Sequence, residues 1–241
     1  MSKKILSFII KGDFAMFRKP WTNKSRKSYR IPPKTTLVGM VSAILGIDKK
    51  DYIDKVGFDN TKLGIKVESN LNTYVTKMNY INSKEINSVK LKNPFRNPKR
   101  SERSPSLIEL VKNPKYKIFF HNEDKNLMNK LERRLKNDKY GYNPYLGRKG
   151  FFCDISNIKK EEFIEKNINT CDTILPSNMI DLKSFEGFTN TEKIPIKMDK
   201  DRGNPKFASF VFSKNKIPIK GNSDIENIMG VVNENERVFL F

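Results

Sequence analysis

Pro32 and Pro33 split residues 12–46 into two parts that no single element can hold. Each proline fixes its own φ and keeps the residue before it out of helical geometry. Behind them, Leu37, Val38, Met40, Val41, Ile44 and Leu45 recur at helical spacing. Gly46 stands where a helix C-terminus favours positive φ. Ahead of them, Ile5, Leu6, Phe8, Ile9 and Ile10 read as a buried strand. The segment that joins strand to helix mixes rings with cations: Phe14, Phe17, Trp21 and Tyr29 among Arg18, Lys19, Lys24, Arg26, Lys27 and Arg30. From Lys11 to Lys34 the chain carries eight cations and one anion, Asp13. A core cannot absorb that imbalance; a polyanion can.

The whole chain is basic too, with 47 Lys and Arg against 27 Asp and Glu, net +20. Part of that sum is the Lys, Asn and Ile bias of AT-rich coding, so clustering carries more information than the total. A second cluster spans 83–106, with Lys84, Lys90, Lys92, Arg96, Lys99, Arg100 and Arg103 against Glu85 and Glu102. Residues 161–192 are acidic on balance. Clustered cations of this kind point to a nucleic acid as partner. A membrane surface is disfavoured, because no basic amphipathic helix with apolar anchors is visible. The apolar run after Lys3 and Lys4 is too short for a signal peptide, and no stretch is long enough to span a bilayer. Cys153 and Cys171 lie far apart in no metal-ligand spacing, which disfavours both a disulfide framework and a zinc site. The expectation is a cytoplasmic protein without cofactor or metal.

Along the chain, strands are expected at 62–67 and 71–81, joined as a hairpin, the second with Tyr74, Thr76, Met78 and Tyr80 on one face. Residues 83–114 contain three Asn-Pro pairs and little periodicity, which marks a long excursion ending in an apolar turn at Leu107, Ile108, Leu110 and Val111. A strand is expected at 115–121. A helix follows over 124–136, with Leu127, Met128, Leu131 and Leu135 inward and Arg133, Arg134 and Lys136 favourably placed at its C-terminus. A strand is expected at 146–155. This order, β-α-β-β-(insert)-β-α-β, predicts an α+β fold: a ferredoxin-like, RNA-recognition-like domain over 1–158 with an extended basic thumb at about 83–114. Beyond it, 159–241 is expected to be a small β-rich C-terminal part, after a short helix near Glu161 to Ile164.

Single-stranded RNA needs cations for phosphates and flat rings for bases. The expected RNA contacts are Arg18, Lys19, Trp21, Lys24, Arg26, Lys27, Tyr29 and Arg30, then Arg96, Lys99, Arg100 and Arg103 of the excursion, and Arg148 and Lys149 of the turn 147–150. Gly39 joins them as a small residue that admits a close backbone. A solvated loop with Trp21 buried is the plainer alternative. His121, the only histidine, can be written with Lys117 and Tyr29 into metal-independent RNA cleavage, as base and acid around the 2′-hydroxyl. Nothing in their spacing demands that role. Asp48, Asp51 and Asp54 sit in a charged turn and do not gather as metal ligands.

Several motifs resemble a known family. They are Gly12-Asp13-Phe14-Ala15 with Phe17-Arg18, Thr22-Asn23-Lys24-Ser25-Arg26, Tyr29-Arg30-Ile31-Pro32-Pro33-Lys34-Thr35, Gly39-Met40, Ala43-Ile44-Leu45-Gly46 and Pro144-Tyr145-Leu146-Gly147-Arg148 followed by Phe151. Together they resemble the fifth Cas family of the RAMP superfamily, the CRISPR-associated subunit that holds the 5′ handle of the guide RNA, closest to its type I-B branch. The resemblance covers about the first 155 residues. It implies a non-catalytic place at the foot of a Cascade surveillance complex in antiviral defence. There the subunit grips the crRNA handle, contacts the backbone and large subunits, and meets target DNA only through the complex. In the type I-C branch the corresponding subunit cuts precursor RNA with a Tyr, a Lys and an adjacent His. Here Phe120, not a lysine, precedes His121.

Overall fold

The computed structural model describes residues 2–22, 25–81, 103–181, 183, 188–220, 228–233 and 235–241. Strand β1 (Ser2–Lys11) precedes four two-residue strands, β2 (Phe14–Ala15), β3 (Phe17–Arg18), β4 (Ser25–Arg26) and β5 (Ser28–Tyr29). Helices α1 (Lys34–Ile44) and α2 (Tyr52–Lys55) come next. They lead to β6 (Thr61–Val67), β7 (Asn72–Ile81), β8 (Arg103–Lys112), β9 (Lys115–Asn122), α3 (Lys125–Lys136) and β10 (Asp154–Glu165). The chain ends with β11 (Thr170–Cys171), β12 (Leu175–Pro176), β13 (Asn190–Lys197), β14 (Lys206–Phe212), β15 (Ile217–Pro218), β16 (Ile228–Val232) and β17 (Glu236–Leu240).

The expected α+β, ferredoxin-like domain with a separate C-terminal part is not what forms. The protein is mostly β. Its main sheet has six strands in the order β17-β16-β10-β1-β9-β6, with every neighbouring pair antiparallel. β16 and β17, from the C-terminal region, add to the free side of β10 and carry the sheet round towards β6. There Leu63 and Phe241 exchange main-chain hydrogen bonds, each 3.0 Å, so the sheet nearly closes into a barrel. Closure requires a glycine in β6: a Cβ on Gly64 would lie 2.8 Å from Val238 Cγ1 and 3.0 Å from Phe239 O. The expected boundary at 158 falls inside β10, and the helix expected near Glu161 is part of that strand.

Alternation along the strands gives the sheet two apolar faces. One face, with Leu6, Phe8, Ile10, Tyr116, Ile118 and Phe120, packs in the same core as α1 and α3. The other, with Ile5, Phe119, Phe163, Val232, Val238 and Leu240, fills the inside of the curved sheet. Helix α1 begins just after Pro33, and Gly46 (φ +66°) lies just beyond its C-terminus as expected. Helix α3 matches its sequence expectation and is capped by Asp124, whose carboxylate accepts from Asn126 N and Leu127 N. A three-stranded sheet, β12-β14-β13, lies beside α1.

The expected hairpin between 62–67 and 71–81 is a second correction. β6 pairs with β9, whereas β7 pairs with β8 from Asn72↔Lys112 to Ile81↔Arg103. The stretch read as an apolar turn, Leu107 to Val111, is therefore strand β8, in a ribbon of two ten-residue strands. Tyr74, Thr76, Met78 and Tyr80 do share a face, and on it Thr76 opposes Ile108 and Tyr74 opposes Leu110. Residues 82–102, most of the expected thumb, lie outside the described residues. The strand expected at 146–155 is mainly a tight turn, with a single bridge between Tyr145 and Phe152.

Lys34, the first residue of α1, is buried and donates from Nζ to the Phe241 main-chain oxygen at 2.9 Å. Burial, reinforced by the charge of Lys62, lowers its pKa from 10.5 to about 8. Below pH 8 the ammonium is charged in the folded and unfolded chains alike, and the folded state bears the desolvation cost. Between pH 8 and 10.5 the folded chain releases the proton first, so stability rises across that window. Compared with Lys34→Met, the wild-type chain is expected to gain about 3 kcal/mol between those limits, measured by urea unfolding at several pH values. A difference between the two chains that does not change with pH refutes this.

Candidate nucleic-acid interface

The ring-bearing basic segment is pinned along its length rather than looping freely. β3 pairs with β5, so that Phe17 opposes Tyr29 and Arg18 opposes Ser28. β2 and β4 both pair with β8, which seats the segment against the base of the β7–β8 ribbon. A carboxylate from the C-terminal sheet then ties its ends together. Glu192 Oε1 accepts from Lys19 Nζ at 2.8 Å, and its Oε2 accepts from the Arg30 main-chain N at 2.7 Å. Arg30 Nη1 donates to Asn190 Oδ1 at 2.6 Å. The Lys19 charge is thus matched by Glu192, while the Arg30 guanidinium is held by a neutral amide.

Tyr29 was expected to offer a ring to bases, but it is 1% exposed. Burial, with Glu192 nearby, pushes its pKa up to about 12. Its hydroxyl has no hydrogen-bond partner among the described residues. Trp21 is the opposite case, 59% exposed. It rests edge-on against Tyr29 and Phe207, at centroid distances of 6.1 and 5.8 Å.

The other expected cations converge elsewhere, on Tyr80 near the end of β7. The Arg26 guanidinium lies 4.0 Å from the centroid of that ring, and the Arg148 guanidinium 5.3 Å. Arg148 Nη1 also donates to the Tyr80 hydroxyl at 2.8 Å and reaches Met78 Sδ. Lys27 and Lys149, the chain neighbours of these arginines, are exposed. Among the described residues none of Arg26, Lys27, Arg148 and Lys149 forms a salt bridge. Pairing of β4 with β8 brings Arg26 to the ribbon. Arg148 is aimed by the turn at Gly147, whose φ is +86° and whose added Cβ would strike Met16 O at 2.2 Å. Sequence reading placed Tyr80 on the right face of its strand but gave it no role, because the segments that meet it are about 50 to 120 residues apart.

Of the remaining expected contacts, Arg18 is exposed on β3. Lys24, Arg96, Lys99 and Arg100 lie outside the described residues, and so does the side chain of Arg103 at the start of β8. Gly39 is at the middle of α1 and borders an open groove.

The structure does not gather His121, Lys117 and Tyr29. His121 Nδ1 is 2.8 Å from the Lys4 main-chain oxygen, so in the neutral ring that nitrogen carries the proton. Lys117 is four residues away on the same strand, about 13 Å along it. It is buried against Glu236, which accepts from Lys66 as well. Among the described residues no group of three or more His, Cys, Asp or Glu side chains is arranged to hold a metal ion, and no helix is long and apolar enough to cross a membrane. Burial pushes the thiols of Cys153 and Cys171 up to about 12 and about 11, so both stay protonated near neutrality.

The family described as "CRISPR-associated protein (Cas_Cas5)" matches residues 5–181 of this chain. No curated protein matches it. Among solved structures, a CRISPR protein from Archaeoglobus fulgidus is similar at 16% identity and a TM-score of 0.55, over 99% of this chain and 98% of that one. A chain of a CRISPR RNA-guided surveillance complex is similar at 12% identity and a TM-score of 0.51, over 94% and 91%. At these identities the two structures speak for the fold.

If Glu192 is what ties the basic segment down, Glu192→Gln lowers stability by about 1.5–3 kcal/mol in thermal or urea unfolding. Trp21, the only tryptophan, then becomes more accessible to acrylamide quenching. Unchanged stability together with unchanged quenching refutes the tether.

Proposed function

We propose, from the premise that this chain belongs to the Cas_Cas5 family of CRISPR-associated proteins, that it is the RNA-gripping subunit of a CRISPR effector complex. In this reading it holds the 5′ handle of the guide crRNA and does not itself cut it. It joins the backbone and large subunits of a Cascade-type assembly, and it meets target DNA only through that assembly.

The observation that carries the reading is the convergence on Tyr80. Arg26 and Arg148 stack on one ring, Lys27 and Lys149 flank them, and no carboxylate among the described residues balances the four. A fold does not gain stability by bringing like charges together, since each pair repels. Phosphates along an RNA backbone turn that repulsion into attraction, and the counterions released add to the affinity. Guanidinium groups suit the task, because they hold phosphate oxygens through paired donors and still stack on rings. Trp21, exposed and braced by two other rings, offers a flat surface for a base.

The test is binding of labelled RNA from the CRISPR repeat of the same genome, followed by anisotropy over a range of salt. Arg26→Ala with Arg148→Ala is expected to weaken binding by about 10- to 100-fold. The slope of log affinity against log salt should fall by about 1.4, the loss of two phosphate contacts on a single strand. Unchanged affinity and slope in a folded double variant overturn the interface. The same RNA incubated with wild-type protein in EDTA is expected to remain intact. Site-specific cutting that disappears in His121→Ala makes the protein a metal-independent endoribonuclease instead.

A further inference from the structure

Gly39 sits in the middle of α1, a position where glycine costs roughly 0.5–1 kcal/mol relative to alanine. The fold does not require it. Its φ is not positive, and a Cβ built on it meets nothing within 4 Å. That open space is a groove of about 660 Å³, of the size of small-molecule sites. Thr35 and Ser42 of α1 line it beside Gly39, between Tyr52 on one wall and Tyr142 on the other. We infer that this groove is the seat of one unstacked nucleobase of the bound RNA, an inference that rests on the RNA-gripping function proposed above.

Three further observations support a base as the occupant. Thr35 lines the groove, and its hydroxyl, with no hydrogen-bond partner among the described residues, can donate to, or accept from, a ligand there. Ser42 differs, because it donates to Val38 O at 2.7 Å within the helix. Tyr142 is 54% exposed yet firmly held. Its main-chain N donates to Ala43 O at 2.9 Å, the neighbouring Gly141 N donates to Ile44 O at 3.0 Å, and its hydroxyl donates to Asp48 Oδ1 at 3.0 Å. A fixed, half-exposed ring is a stacking surface whose ordering cost is already met by the fold.

The third observation is continuity with the cation cluster. Gly147 lines the groove, and the next two residues are Arg148 and Lys149. A backbone whose phosphate rests on Arg148 thus brings an adjoining base to the groove mouth. On the opposite wall the Arg202 guanidinium lies 5.0 Å from the Tyr52 ring centroid and donates to Lys49 O, which leaves that wall cationic as well. The glycine then has a physical reason: any side chain at position 39 occupies the volume the base needs.

The test uses the full chain and repeat RNAs that each lack one base of the handle. For the wild type, one abasic position is expected to weaken binding about tenfold, a typical worth of one stacked base. Gly39→Leu is expected to unfold at a temperature no lower than the wild type and to keep the salt slope. It should bind intact RNA about tenfold more weakly and no longer distinguish the abasic RNA. Tyr142→Ala, at an exposed position, should lose the same distinction and serves if Gly39→Leu misfolds. If both variants bind intact RNA as tightly as the wild type while the Arg26 and Arg148 substitutions still weaken binding, the groove is not a base site and the RNA reading stands. If the wild type binds no repeat RNA, both readings fall together.

Discussion

Two main-chain hydrogen bonds between Leu63 and Phe241 join the far edges of the six-stranded sheet, and much else follows from that meeting. With the edges joined, the inner face of the sheet becomes an enclosed core around Phe119, Phe163 and Val238. Lys66 and Lys117 lie side by side on neighbouring strands, and Glu236 of β17 reaches both, so the closing strand brings the carboxylate its partners need. Phe241 is also drawn to the start of α1, where its main-chain oxygen receives the buried Lys34 ammonium. The stretch of chain between β10 and β16 is then confined beside α1. From there β13 presents Glu192 to the basic segment.

That carboxylate divides the basic segment in two. On one side Lys19 is neutralised by Glu192, Arg30 is held by Asn190 and Tyr29 is buried. On the other, Arg26 meets Arg148 at Tyr80, and their chain neighbours Lys27 and Lys149 are exposed. A net charge of +20 is spread over the chain, but only where cations gather without carboxylates does it become a field that selects a ligand. The groove over α1 adjoins that field, and the two share one border at Gly147 and Arg148.

Local elements were legible wherever one period persisted within a single stretch. The apolar spacing in α1 and α3, the glycine after α1 and the buried strand β1 all read correctly, because each depends on neighbours within a few residues. Pairing did not. β7 was joined to β6 by proximity in sequence, whereas its partner β8 starts more than twenty residues later, beyond a stretch rich in Asn-Pro pairs. The C-terminal third was recognised as β-rich and yet read as a separate part. A short strand carries no mark of which sheet edge it completes, and that choice turned an expected ferredoxin-like domain into a nearly closed sheet.

The same division holds for the site. Composition and order in the chain were enough to mark the segment before the double proline as strongly basic, because unbalanced charge is a local property. They were also enough to bring out motifs that resemble one family. Which of those cations stay available was decided only in three dimensions, by Glu192 from 162 residues further on and by Tyr80 on β7, which joins the segment's strands through β8. Neutralisation and burial depend on distance in space, and a linear chain does not contain that distance until its sheet has closed.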